Sequence, residues 1–316
     1  MISIIIVTYN SERWIGRCLE SLVGSGAEIV VVDNGSKDDT AEVVRRFPTA
    51  RFLQATRNLG FAGACNFGAR QSAGSALLFL NPDTVRQTPL DRLEEVLRNA
   101  PNVAAVAPRL VNAQGKDQTG FNVRRLPTRA ALLFEILLLN RVFPGNPVNR
   151  RYRCLDFDPE KASEVEQPAG ACLLVRRESF ERCGGFDEGF FPLWFEDVDL
   201  CLRLRQKGGT ILYCPQVRFE HAGGHSLEAM SFSEKQVYWY RNLLYYVRKR
   251  FGWATGLMIR GALLVGIGLR MAAELMGLVL NRKIPAWVRR ARLRAYWRAA
   301  MVSFSAGESE PRIRAC

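Results

Sequence analysis

The sequence predicts an α/β protein: a mostly parallel β-sheet flanked by helices, followed by a helical, basic C-terminal extension. Three observations carry this prediction. Short apolar runs alternate with amphipathic stretches through residues 1–110, the pattern of strands covered by helices on both faces. Each apolar run stops at a cluster of small polar residues. Basic charge then collects toward the C-terminus: residues 241–316 hold 15 Lys and Arg against 3 Asp and Glu, whereas residues 1–240 hold 29 against 28.

In chain order, strands are expected at Ile2–Val7, Glu28–Val32, Ala50–Gln54, Ala76–Leu80 and Val103–Pro108, each a short, mainly apolar run of strand length. Amphipathic helices are expected between them, at Glu12–Leu22, Asp38–Phe47, Gly60–Ser72 and Leu90–Asn99. Asn112-Ala113-Gln114-Gly115 reads as a hairpin turn, and Arg129–Leu139 as a helix. Residues 144–159 read as a polar loop placed to cover a site. A strand at Ala171–Val175, a Gly184-Gly185-Phe186 turn and a helix opening near Glu196 follow, and the chain beyond Ser231 reads as helical throughout.

A chain of 316 residues accommodates one large α/β domain plus an accessory segment. Hydrophobic content of 48% with 24% charged residues excludes general disorder. The Ile2–Val7 run is too short for the apolar core of a secretion signal and reads as a buried strand. The eight cysteines form no CxxC pair and no zinc spacing, so reduced thiols packed as small hydrophobes are expected. The basic C-terminal end calls for a polyanionic partner: nucleic acid, anionic lipid or a phosphorylated substrate. No nucleic-acid reading module accompanies it, so nucleic acid is not expected.

In parallel sheets, ligands bind beyond the carboxyl ends of the strands. Candidate residues therefore lie in Thr8-Tyr9-Asn10, in Asp33-Asn34-Gly35-Ser36, in Arg57-Asn58 and in Asn81-Pro82-Asp83. Asp33 can hydrogen-bond a base or ribose, with Thr8 and Asn10 offering further polar groups; the same residues also serve as ordinary turn formers. Gly60, Gly63, Ala64 and Gly68 allow close backbone approach, and a helix opening at Gly60 would aim free N–H groups at an anion. Packing of that helix on the sheet explains the glycines equally well. Pro82 ends its strand and leaves the Asp83 carboxylate beyond it, a position suited to Mg2+ or Mn2+ bound to phosphate. Trp194-Phe195-Glu196-Asp197-Val198-Asp199 sets three acids at a helix start beside two aromatics. They are either helix-capping charges or a general base tuned by desolvation. His221 can add a nitrogen ligand to a metal, or be a surface histidine.

Six segments in order resemble glycosyltransferase family 2, and within it the rhamnosyltransferase branch. They are Ile4–Asn10, Val31–Ser36, Asn58–Ala62, Leu80–Asp83, Gly170–Leu173 and Phe195–Asp199. The resemblance covers about residues 2–250. It implies a GT-A fold over residues 1–250, with a nucleotide-sugar half at 1–110 and an acceptor half at 111–250, and single displacement with inversion. It also implies that Thr8, Tyr9, Asn10, Asp33, Asn58, Gly60, Asn66 and Asn81 bind the donor, and that Asp83 and His221 hold Mg2+ or Mn2+. Asp197 would be the base, with Trp194 and Glu196 on the acceptor side. The family's DxD motif carries Asn81 at its first position here, so metal binding should depend on the donor's phosphates.

The expected reaction is transfer of a sugar from a nucleotide donor, with L-rhamnose from dTDP-L-rhamnose the first choice, to a glycan or polyprenol-diphosphate-linked acceptor. A UDP-hexose is the alternative donor. Phe61, Trp194 and Phe195 would line the apolar side of a deoxysugar pocket. A nucleotidylyltransferase would need a glycine-rich Arg/Lys loop near the N-terminus, which is missing, and a non-catalytic membrane-docking sugar-nucleotide-binding protein would not need both Asp83 and Asp197. In the extension, residues 251–316, the runs Gly261–Leu269 and Leu275–Leu280 fall short of the roughly 20 residues of a spanning helix. Pro285–Phe304 interleaves Trp287, Tyr296 and Trp297 with arginines, the composition of a helix lying on an anionic membrane surface. A cytoplasmic enzyme, peripheral at the inner face of the cell membrane, is expected.

Overall fold

The computed structural model describes residues 1–224, 230–280 and 284–305. They form two compact units, Met1–Leu126 with Asn149–Ala229, and Pro127–Val148 with the chain from Met230 onward.

The first unit is an α/β sandwich. Its elements run β1 (Ile2–Thr8), α1 (Glu12–Leu22), β2 (Glu28–Asp33), α2 (Thr40–Arg45), β3 (Ala50–Gln54), α3 (Gly60–Arg70) and β4 (Ala76–Leu80), then β5 (Thr84–Arg86), α4 (Asp91–Asn99), β6 (Val103–Val111) and β7 (Val123–Arg124). In the second unit come α5 (Arg129–Ile136) and α6 (Leu139–Val142). The chain continues with α7 (Pro147–Tyr152), β8 (Ser163–Glu164), β9 (Gln167–Pro168), β10 (Cys172–Arg176), α8 (Arg177–Arg182), α9 (Glu196–Gln206) and β11 (Thr210–His221). Nine strands make one sheet in the order β3-β2-β1-β4-β10-β6-β11-β5, with β8 on β11, and β7 pairs with β9 separately.

The first four strands of that order are mutually parallel. Right-handed crossovers through helices give this arrangement, and the chain reverses its direction of winding beside β1. β10 then runs antiparallel between β4 and β6, so the sheet is parallel in its first half and mixed in its second. All seven residues of β1 are buried because both faces are covered. Ile4 and Ile6 pack on one face with Ile15, Leu19 and Leu22 of α1 and with Leu93 of α4. Ile5 and Val7 pack on the other with Ala62, Cys65 and Ala69 of α3 and with Leu200 and Leu204 of α9. The two-residue strand period thus divides one apolar run between two cores.

The hairpin at Asn112–Gly115 forms as expected: the Gly115 N–H donates to Asn112 O at 2.8 Å, and Asp117 bridges to Val111. The stretch 144–159 is not the loop expected, because Pro147–Tyr152 is helical and Asn149 is buried. Proline at the first position of a helix sacrifices no hydrogen bond, so its presence there was compatible with α7 from the start. The described cysteines are free thiols, and Cys18, Cys65, Cys172, Cys201 and Cys214 are buried.

The second unit holds α5, α6 and two further helices, α10 (Phe232–Leu280) and α11 (Ala286–Ser305). α10 is broken at Gly252, whose φ of 82° and ψ of 179° no helix contains. Gly266 lies against the Ile136 carbonyl, which leaves no room for a Cβ, and Arg270 donates to that carbonyl at 2.7 Å. Glu274 accepts from Arg289 at 2.8 Å and from Arg292 at 3.1 Å, fastening α10 to α11. The compact units group residues 127–148 and 230–250 with the C-terminal helices. The two short apolar runs noted above belong to one helix that is long and apolar enough, by length and composition, to cross a membrane.

Candidate active site

Two clusters of polar side chains form at the carboxyl ends of the strands, each held by backbone that the sheet fixes.

The first surrounds Asp33. β1 and β2 pair in register with Thr8 opposite Asp33, so the Thr8 hydroxyl donates to Asp33 Oδ1 at 2.9 Å. Oδ2 accepts from the N–H groups of Gly35 and Ser36 at 3.1 and 3.0 Å, and the Ser36 hydroxyl donates to Oδ1. Asp33 is 1% exposed, and its carboxylate is filled by its own loop. Its direct product is a rigid loop shape. Asn10, at φ 51°, joins the same loop: its N–H donates to Ser36 Oγ, and its Oδ1 accepts from Lys37 N–H, each at 2.8 Å. Tyr9 stands exposed beside it.

Asn34 ties this loop to the next. Its amide donates to Gly60 O and accepts from Leu59 N–H, both at 3.1 Å. Gly60, at φ +71°, takes a conformation that other residues rarely adopt, and a Cβ there would meet Phe191 at 2.9 Å. The opening of α3 is not the free N–H cluster expected. Gly60 N–H donates to Asn58 Oδ1 at 2.8 Å, and Phe61 N–H donates to Pro192 O at 2.7 Å. Asn58 remains exposed, whereas Asn66 is buried and clamps the segment 186–188. The Asn66 amide donates to Phe186 O and Glu188 Oε1 and accepts from Phe186 N–H, all at 2.9 Å.

The second cluster holds Asp83 and His221. β5 begins immediately after Asp83 and pairs antiparallel with the end of β11, Thr84 opposite His221. That register brings together two side chains 138 positions apart, with His221 Nε2 3.6 Å from Asp83 Oδ1. Asp83 Oδ2 accepts from Gly223 N–H at 3.1 Å, but Oδ1 is buried and without a hydrogen-bond partner. A buried, unpartnered carboxylate oxygen is costly unless something positive sits on it. Burial lowers the His221 pKa, the largest influence, against an opposing pull from Asp83, so the ring is neutral and a nitrogen ligand at physiological pH. A divalent cation with ligand distances of about 2.1 Å can touch both atoms. The residues therefore fit a divalent metal.

Among the described residues no group of three or more His, Cys, Asp or Glu could hold a metal, so these two leave most coordination positions to other ligands. Asn81 precedes them; its N–H donates to Ala171 O at 2.9 Å, and its carbonyl accepts from the Thr84 hydroxyl at 2.6 Å. Cys18 lies beneath this turn, and burial pushes its thiol up to about 12, so it stays protonated and supplies no thiolate.

Asp197 opens α9. Its Oδ2 accepts from Gly170 N–H at 3.1 Å and from the Gln167 amide at 3.5 Å, and Oδ1 accepts from Val198 N–H at 2.8 Å. Burial raises its pKa; the N–H groups of Gly170 and Val198 and the nearby Arg124 pull it back. Both Trp194 and Phe195, immediately before α9, have positive φ, at 80° and 73°. Two successive strained residues turn the chain sharply into the helix. Glu196, expected on the acceptor side, instead points inward: it is 7% exposed, Oε2 has no partner, and burial followed by the neighbouring Asp197 raises its pKa well above the usual range. Asp199 is bound to Arg203 at 2.7 Å. Of the aromatics expected to line a pocket, Phe195 is buried and Phe61 packs edge-on against Phe186, leaving Trp194 half-buried.

Several residues at the site carry no signal in the sequence. Gln118 bonds the His221 ring, Phe121 stacks on it, and Arg124 and Gln167 reach Asp197 from the β7–β9 ribbon. Gly170 opens the Gly170–Leu173 segment of the resemblance, but its tie to Asp197 lies in the fold: a Cβ there would come within 2.9 Å of Asp197 Cβ.

A family model described as glycosyl transferase family 2 matches residues 3–184. The chain is 29% identical over 272 residues to the N-acetylglucosaminyl-diphospho-decaprenol L-rhamnosyltransferase of Mycobacterium tuberculosis, covering 80% of this chain and 86% of that protein. It is 26% identical over 264 residues to rhamnosyltransferase WbbL of Escherichia coli, covering 79% and 94%. Among solved structures, the fold is similar to mannosyltransferase PcManGT from Pyrobaculum calidifontis, solved with GDP-Man and Mn2+. That match has a TM-score of 0.53 and 17% identity, and covers 96% of this chain and 85% of the other.

Proposed function

The chain belongs to glycosyl transferase family 2, and on that premise we propose that it is an inverting, divalent-metal-dependent transferase. It moves L-rhamnose from dTDP-L-rhamnose to a glycan carried on a polyprenol diphosphate or at the cell surface. The single observation that carries the metal reading is the buried, unpartnered Asp83 Oδ1 facing His221 Nε2 at 3.6 Å. Bound there, Mg2+ or Mn2+ would offset the charge that develops on the departing nucleoside diphosphate. Asp83 and His221 would hold it, and with Asn81 neutral the donor's phosphates would supply further ligands. The loop that Asp33 shapes, from Thr8 to Asn10 and on to Ser36, supports the nucleoside.

Asp197 takes the proton of the acceptor hydroxyl as that oxygen attacks the anomeric carbon. Burial has raised its proton affinity toward what a general base needs, and Gly170 and Val198 hold both carboxylate oxygens in place. One displacement without a covalent intermediate inverts the anomeric centre. The rhamnosyl donor rests on the resemblance to proteins named as L-rhamnosyltransferases, one acting on a diphospho-decaprenol-linked sugar. A pocket selective for a methyl over a hydroxymethyl group rejects hexoses by only about a hundredfold.

The acceptor reading agrees with the exposed faces of the C-terminal helices. Trp253, Leu257, Val265, Leu269, Met276 and Val279 stand exposed along α10, and Trp287, Trp297 and Met301 along α11. Arg290, Arg294 and Arg298 are exposed on α11 as well. Apolar and cationic groups in this mixture suit a peripheral position on an anionic, cytoplasm-facing membrane surface.

Transfer measured with dTDP-rhamnose, UDP-glucose, UDP-galactose and GDP-mannose, each with Mn2+, Mg2+ or excess chelator, tests the reading. The expected result is transfer from dTDP-rhamnose only with metal. Full turnover in chelator would remove the metal, and a better hexose donor would replace rhamnose.

A further inference from the structure

We propose that Gln118 is a positioning residue that fixes the ring of His221 with the Nε2 lone pair directed at Asp83. The inference rests on the metal reading above and names a residue that the family resemblance did not.

The amide of Gln118 grips His221 at two points. Its Nε2 donates to the His221 carbonyl at 2.8 Å, and its Oε1 lies 2.9 Å from His221 Nδ1. A carbonyl only accepts, so the first bond fixes which end of the amide is nitrogen. The oxygen that remains can only accept, so the ring must carry its proton on Nδ1. Nε2 is then left bare, and it is the atom 3.6 Å from the unpartnered Asp83 Oδ1. Two lone pairs facing each other across that distance repel unless a cation lies between them. Gln118 thus selects the tautomer that binds metal and excludes the one that would merely hydrogen-bond Asp83.

The grip is itself braced. Gln118 ends the hairpin after β6, and its N–H donates to Leu110 O at 3.2 Å. Its neighbour Asp117 takes a two-point ion pair from the buried Arg109, at 2.6 and 2.9 Å. Phe121, one turn on, stacks on the His221 ring with centroids 5.1 Å apart and planes inclined by 9°. Backbone, ion pair and stacking together fix ring height, plane and edge.

The test uses the full chain, 15N-labelled and free of metal. Two histidines are present, so a His225→Gln variant assigns the His221 signals in long-range 1H–15N correlation. The wild type should show the Nδ1–H tautomer. Gln118→Leu should show a mixture with Nε2–H, and its Mn2+ affinity, measured with saturating dTDP, should fall by about ten- to a hundredfold. Gln118→Glu keeps the acceptor oxygen; it should retain the tautomer and recover most of the Mn2+ affinity. Unchanged tautomer and affinity in Gln118→Leu overturn the proposal. So does a wild-type ring protonated at Nε2. A wild type with the Nδ1–H tautomer but no Mn2+ affinity in the presence of dTDP sinks the metal reading instead, and the tautomer of Gln118→Leu still decides the role of Gln118.

Discussion

Replacing Gly170 by alanine should slow the chemical step without weakening the donor. The residue lies outside the positive-φ region, so alanine suits its backbone and the added methyl group acts by volume alone. That methyl would sit 2.9 Å from Asp197 Cβ and 3.4 Å from Asp197 Oδ2. Carbon atoms rest at about 3.5–4.0 Å, so the two Cβ atoms must separate by roughly 0.6–1.1 Å. Asp197 Cβ is attached to the first turn of α9, so the whole carboxylate must move and the 3.1 Å bond from Gly170 N–H must stretch. A misplacement of about 1 Å in a catalytic group costs on the order of a hundredfold in rate. Steady-state kinetics of Gly170→Ala should therefore show kcat down by about that factor, with donor KM and donor affinity by calorimetry near wild type. A circular-dichroism melt confirms that the variant is folded. A kcat within twofold of wild type in a folded variant would refute the placement of Asp197 at the reacting atoms.

Three other outcomes follow from the same geometry. Asp197→Asn should lose nearly all transfer while donor affinity stays within a few-fold, and the wild-type rate should fall on acidification through a pKa above the ordinary carboxylate value, because burial raises it; retained turnover removes Asp197 from the base role. Glu196→Gln should flatten the pH dependence of stability: the raised folded-state pKa means that the unfolded chain ionises first, so stability lost as pH climbs above about 4.3 amounts to roughly 1.4 kcal/mol per pH unit until the folded group itself ionises. Parallel stability–pH curves for the variant and wild type, from denaturant titrations, would contradict this. Replacing Arg290, Arg294 and Arg298 together by alanine should weaken binding to anionic vesicles by about 3 kcal/mol, near a hundredfold, with little change on neutral vesicles; equal sedimentation of both proteins with anionic vesicles would assign these arginines another role.

The parallel half of the sheet was legible because its strands are short, mainly apolar and separated by helical stretches. The first site residues were legible for a related reason. Thr8 and Asp33 end their strands and Asp83 sits in the short turn after β4, so locating the strand locates the residue. The supporting residues obey no such rule. Gln118 meets His221 only because β6, which leads into its hairpin, pairs with β11, and Arg124 meets Asp197 only because β7 pairs with β9. No local pattern marks such long-range register. The opening of α3 was misread for the same kind of reason: the Phe61 N–H that looked free is taken by Pro192, 131 positions away.

The adjacent acids Glu196 and Asp197 make the limit concrete. In sequence they are equivalent: two carboxylates at a helix start, either of which could serve as the base. On a helix, neighbours point about 100° apart, and that rotation separates their fates. It carries Glu196 into the protein, where Oε2 finds no partner, and leaves Asp197 half-buried with N–H donors on both oxygens. Burial disfavours ionisation of both; the N–H groups of Gly170 and Val198 and the nearby Arg124 oppose it at Asp197, whereas a backbone N–H alone opposes it at Glu196. Glu196 is therefore the harder of the two to ionise, its pKa lying well above the usual carboxylate range. Asp197, with N–H donors on both carboxylate oxygens, is the acid of the pair placed to accept a proton.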